Sequence, residues 1–124
     1  MEGYNVTIVK ASKELSHKER VRMKDTTNAL KMDEITKDGP VLIDLDFYAV
    51  LNVHNERSES VDYTVCILVD KAGTKYRTGS PSFLTALDEI MVDMADCDEA
   101  WQLEVSRLPS KNYKGKEFLT CSVV

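Results

Sequence analysis

Between residues 81 and 94 the apolar positions fall at Phe83, Leu84, Leu87, Ile90, Met91 and Met94, the spacing of one stripe along an amphipathic helix. Ser80 stands where the N-cap of that helix belongs, and Pro81 occupies the first helical position, where a missing N–H costs nothing. Elsewhere the period is two. In "HKERVRMKD", residues 17–25, the alternation sets Lys18, Arg20, Arg22 and Lys24 on one face and Glu19, Val21 and Met23 on the other, which predicts a strand. "GPVLIDLDFYAVLNVHN", residues 39–55, opens on a Gly-Pro turn and continues as a long strand with Leu42, Asp44 and Asp46 facing away from Ile43, Leu45 and Phe47. Beyond Tyr48 both faces become apolar, and a bulge or sharp bend is expected there. Residues 61–78 predict a hairpin that turns through Asp70-Lys71-Ala72-Gly73. A second hairpin pairs "AWQLEVSRL" with "KEFLTCSVV" through the basic turn "PSKNYKGK".

The order is three strands, one helix and two strands. It predicts a mainly β chain built as an OB-like five-stranded Greek-key barrel, with one α-helix between the third and fourth strands. A split α+β sandwich fits the same order. At 124 residues and 43% hydrophobic content, residues 1–124 make one domain with one core. No window approaches the roughly 18 apolar residues of a membrane span, and no basic segment followed by a long apolar run opens the chain, so a soluble cytoplasmic protein is expected. Cys66, Cys97 and Cys121 are odd in number and widely spaced, which predicts reduced and mostly buried thiols.

A net charge of −5 argues against tight binding of duplex DNA, which requires many phosphates to be neutralised at once. The charge is segregated, however. Residues 10–37 carry eight Lys or Arg against five acids, whereas residues 81–99 carry six acids and no base. Single-strand binding needs aromatic faces for bases and cations for phosphates, and three places offer cations, two of them with a tyrosine alongside. These are Arg20, Arg22 and Lys24 on one predicted strand face; Lys75, Tyr76 and Arg77 on the return strand of the first hairpin; and Lys111, Tyr113, Lys114 and Lys116 in the last turn. Tyr48 and Tyr63 lie on intervening strands and extend the platform. Catalytic chemistry is thinly represented. Asp44 and Asp46 share a strand face without a Glu or His to complete a metal site, and the acidic run at 96–99 lacks the glycine and spacing of a calcium loop. His17 and His54 stand in polar, loop-like contexts with no nucleophile motif nearby. No enzyme, cofactor or metal is expected.

The run "ILVDKAGTKYRTGSPSFLTALDEIMVDM", followed by a strand and "SKNYKGKEFLTCSVV", resembles the single-stranded-DNA-binding proteins of small Bacillus phages that replicate by protein priming. The matching features are Asp70 with Gly73 and Tyr76, the helix from Leu84 to Met94, and Lys114-Gly115-Lys116 with Phe118. The resemblance implies an OB-like domain that coats the displaced strand without sequence specificity, with Tyr76 and Tyr48 best matching the family's stacking tyrosines. It departs in "TTNALKMDEI", where the family has a glycine-rich link.

The expected function is therefore single-stranded DNA binding in phage or plasmid replication, with RNA left open as a ligand and replication proteins or further copies of the chain as partners. The alternative is an acidic phage-encoded inhibitor that docks Asp88, Glu89 and Asp93 of the helix on a host factor. A remote third reading is a metal-dependent nuclease built on Asp44 and Asp46.

Overall fold

A computed structural model describes residues 4–25, 27–57, 61–109, 115 and 117–124. The chain is mainly β, and its strands form two separate sheets. The larger has the order β1 (Tyr4–Ala11), β4 (Leu45–Asn55), β5 (Asp62–Asp70), β6 (Lys75–Thr78), β2 (Leu30–Lys31); the smaller has the order β3 (Val41–Ile43), β7 (Leu103–Pro109), β8 (Glu117–Val123). All neighbours are antiparallel except β2, which pairs in parallel with β6 through Leu30 against Tyr76 and Lys31 against Arg77. The expected closed five-stranded barrel is not formed.

The central strand β4 is covered on both sides. Its even-numbered face, with Tyr48, continues through Cys66 and Leu68 of β5 and Tyr76 of β6. It meets helix α3 (Pro81–Asp93) and the small sheet through Phe83, Leu87, Leu103, Val105, Leu119 and Cys121. Its odd-numbered face, with Phe47, Ala49 and Leu51, continues through Ile67 and is covered by Leu15 and by Met23 of helix α1 (His17–Lys24). Burial on both faces, and not a bulge, is why the sequence beyond Tyr48 is apolar on both sides. The irregularity lies earlier, where the chain breaks at Asp44 between β3 and β4 and the register shifts between Leu45 and Phe47.

Residues 17–24 are helical, which overturns the predicted strand. A capping box outweighs the two-residue alternation: Glu19 N–H donates to Ser16 Oγ at 3.2 Å and Ser16 N–H donates back to Glu19 Oε1 at 3.0 Å, so two otherwise orphaned donors are satisfied. Lys13 Nζ lies 2.8 Å from Glu19 Oε2, and together with the Ser16 N–H it holds the Glu19 carboxyl down at about 2. Strand β1 was not expected at all. A register shift between Ile8 and Lys10 turns Lys10 onto the even-numbered face and leaves Val9 exposed.

The first hairpin and the main helix form as predicted. Asp70 Oδ1 accepts from the Ala72 and Thr74 amides at 3.0 and 2.8 Å, while Gly73 takes a φ of +91°, which its lack of a Cβ permits. Ser80 Oγ accepts from the Phe83 amide at 3.3 Å with Pro81 following it, and Ser82 Oγ donates to the Leu119 carbonyl at 2.8 Å, which fastens α3 to β8.

The three thiols are free, and only Cys66 and Cys121 are buried; Cys97 is exposed. Burial pushes both interior thiols up to about 12, so they stay protonated and unreactive at neutral pH. A thiol-specific reagent at pH 8 is expected to modify one cysteine per native chain and three after denaturation. Rapid modification of a Cys97→Ser variant under native conditions would contradict this packing.

Candidate nucleic-acid interface

The odd-numbered face of the large sheet is only partly covered by α1, which buries a single residue, Met23. Past the C-terminal end of that helix the sheet opens into a groove of about 350 Å³. Its floor is apolar, made by Val6 of β1, Leu51 and Val53 of β4, and Val65 of β5, which the cross-strand register aligns on one face. Tyr63 stands opposite Val53 at the edge of this floor and is 37% exposed. Around the rim are Lys24 from the end of α1, Lys31 from β2, Arg77 from β6, and one carboxylate, Asp33.

Strand alternation sorts the predicted site residues. In Lys75-Tyr76-Arg77 the two cations point to the groove side, and Tyr76 points the other way, into the core. Tyr76 is 9% exposed and donates its hydroxyl to Asp70 Oδ2 at 3.1 Å. Tyr48 is 2% exposed on the same inner face, with its hydroxyl 3.3 Å from Asp88 Oδ1. Burial raises the hydroxyl pKa of each. A base cannot reach either ring, so both are corrected from platform residues to core residues. Lys75 faces the right side but is occupied: its Nζ donates to the Arg22 and Asp25 carbonyls at 3.0 and 2.5 Å, and thereby caps the C-terminal end of α1.

Helix geometry also separates the first cluster, because residues two apart on a helix lie on different sides. Lys24 reaches the main groove and a second one, of about 400 Å³, that runs between α1 and β1 past Arg20. Arg22 lines a third depression on the other side of α1, near Lys71 and Lys75. Lys111, Tyr113, Lys114 and Lys116 lie outside the described residues. Three residues from three distant segments therefore meet in one groove: Lys24, Tyr63 and Arg77. Sequence reasoning missed Lys31 and the apolar floor. Lys31 was visible only as part of a basic segment, and nothing local announces a two-residue parallel strand.

Arg77 makes no ion pair among the described residues, and its Nε–H is buried without an acceptor. Lys24 has no carboxylate partner among the described residues, and Lys31 approaches Glu34 at 4.0 Å. By contrast, Lys10 Nζ sits 2.9 Å from Asp88 Oδ1, which raises the lysine's pKa and commits one acid of α3 to β1. Glu89 and Asp93 remain exposed on the helix layer opposite the groove. Asp44 and Asp46 are exposed, and among the described residues no three His, Cys, Asp or Glu side chains gather closely enough to hold a metal ion. No helix among the described residues is long and apolar enough to cross a membrane.

No protein-family model matches the chain, and no match was found among curated proteins or solved structures.

At the far end of the β4–β5 hairpin, His54 Nδ1 lies 2.8 Å from Asp62 Oδ1 and Nε2 lies 3.6 Å from Glu56 Oε1. The Asp62 carboxylate raises the His54 pKa above its ordinary 6.5. Raised in the folded state, the pair stabilises the chain fully below the ordinary value and loses that contribution as pH climbs through the native one. An NMR titration is expected to place the His54 midpoint above 6.5, and Asp62→Asn to bring it down; an unchanged midpoint in the variant would refute the pairing. Lys75→Met is expected to loosen the last turn of α1, seen as faster amide exchange at residues 22–25, with the sheet amides unaffected.

Proposed function

We propose that the chain binds single-stranded nucleic acid without sequence specificity, using the groove on the open face of its large sheet. The observation that carries this reading is the convergence of Tyr63, Lys24, Lys31 and Arg77 over an apolar floor. An aromatic ring and apolar floor suit the faces of bases, which are alike enough to be accepted irrespective of sequence, and the rim cations suit phosphates. The layering supports the same reading. The helix that carries six acids in its neighbourhood packs on the opposite face of the sheet, so an acidic chain still presents one electropositive face to a polyanion.

The proposed site differs from the sequence-based expectation in its aromatic residue. Tyr63 takes the stacking role, while Tyr48 and Tyr76 hold the core behind it. An OB-like use of a sheet face as the binding platform remains part of the proposal, although the strands form two sheets and no closed barrel. With the resemblance to the phage proteins, the proposed setting is replication of a phage or plasmid, where displaced strands need covering.

Titration of a labelled oligo-dT is expected to show binding that weakens with added salt, as counterions released from phosphates are re-supplied. Tyr63→Ala is expected to weaken it by about 1–3 kcal/mol, whereas Tyr76→Phe, which preserves core volume, leaves affinity unchanged. Absence of binding at low salt, with the same result for RNA, would refute the function; an unaffected Tyr63→Ala would remove that ring from the platform.

A second reading has its own observation. Val92 is 76% exposed on α3 between exposed Glu89 and Asp93, an arrangement suited to docking on a protein with a basic, apolar patch. Capture of a host protein that depends on Glu89, Val92 and Asp93 and ignores Arg77 and Tyr63 would favour it.

A further inference from the structure

We infer that the groove receives the end of a strand and that the end it prefers carries a terminal phosphomonoester. This inference rests on the strand-binding reading above.

The first argument is size. A strand that passes through a protein needs a track long enough for several nucleotides. This groove holds about 350 Å³, near the lower end of the roughly 300–1,000 Å³ typical of cavities for single small ligands. Lys24 at the end of α1 lines it, as do Lys31 and Asp33 of the short β2–α2 segment, with α2 spanning Met32–Ile35. The space fits one nucleotide, with its base beside Tyr63.

The second argument is charge. Three cations face one carboxylate in the lining, an excess of two positive charges in a partly enclosed space. Gathering like charges is unfavourable unless a counter-anion balances them. A phosphodiester inside a strand brings a single negative charge, whereas a terminal phosphomonoester brings roughly −1.5 to −2 near neutral pH. The monoester matches the excess, and the diester leaves about one cation unbalanced.

The third argument is the state of Arg77. Its guanidinium makes no ion pair among the described residues, and its Nε–H is both buried and unpaired. Such a donor is expensive to leave unsatisfied. A guanidinium presents donors in a planar fork that matches the oxygens of a phosphate, and a monoester offers three free oxygens to a diester's two. A small swing of the Arg77 side chain toward such a ligand would let its donors be satisfied together.

The test is calorimetric titration of short oligo-dT prepared with hydroxyls at both ends, with a 5′-phosphate, with a 3′-phosphate, or with the terminal phosphate capped as its methyl diester. One of the two monoester strands is expected to bind about tenfold tighter than the hydroxyl strand, a difference of about 1.4 kcal/mol. The methyl cap should abolish that advantage. Lys31→Gln and Arg77→Gln should each shrink it while weaker binding of the hydroxyl strand persists. Lys31 is exposed, so its variant keeps the fold and carries the test if Arg77→Gln does not. Equal affinities for all forms overturn the preference for a phosphorylated end and leave strand binding standing. Failure of every form to bind overturns both.

Discussion

Two-sided burial of β4 is the constraint on which the remainder of the structure depends. A strand covered on only one face could present its other face freely, but β4 supplies Tyr48 to one core and Phe47, Ala49 and Leu51 to another. Fixing that one strand fixes which side chains of its neighbours point which way, through a cross-strand register that runs unbroken from Phe47 against Val69 to His54 against Asp62. The residues of β5 and β6 then inherit their faces. Tyr63 and Arg77 fall on the side that α1 leaves partly open, and Tyr76 falls on the side that α3 and the small sheet close. A slip of one residue would exchange these roles and bury an arginine in place of a tyrosine.

Within that frame, the separation of charge follows from which helix lies on which face. The helix with the apolar stripe, α3, seals the thicker core and carries its acids away from the groove. The helix without one, α1, lies on the sheet through Met23 and lends its end to the rim. Only Asp88 among the acids of α3 reaches across, to Lys10 and the Tyr48 hydroxyl, and there it holds the edge strand β1 to the helix layer. The ion pair is half-exposed, so its contribution is orientation more than energy.

What the sequence disclosed tracks how local the deciding interaction is. The hairpin at Asp70–Gly73 and the helix from Ser80 are written in adjacent residues, and both were legible. The cysteines were read together as mostly buried, and two of the three, Cys66 and Cys121, are. Residues 17–24 misled because alternating charge imitates a strand, while the information that makes them helical sits in the pair Ser16 and Glu19 at the helix start. The burial of Tyr76 was hidden for a different reason. Alternation within β6 was available, but which of its faces is inner depends on the register with β4 and β5 and on two helices packing on opposite sides. The groove itself was not legible, because Lys24, Lys31, Tyr63 and Arg77 become neighbours only through a parallel pairing of two residues and the docking of a short helix.

The fastening of α1 by Lys75 has a consequence for cooperativity. A helix of eight residues with one buried side chain holds its place through its capping box, through Met23, and through the ammonium that reaches its final carbonyls. Its local opening therefore costs less than opening the doubly covered sheet beneath. Because Lys24 belongs to that unit, any anion held at the rim binds the closed helix and not the opened one. By thermodynamic linkage, occupancy of the groove would tighten this helix, and part of the binding energy would be spent in ordering it.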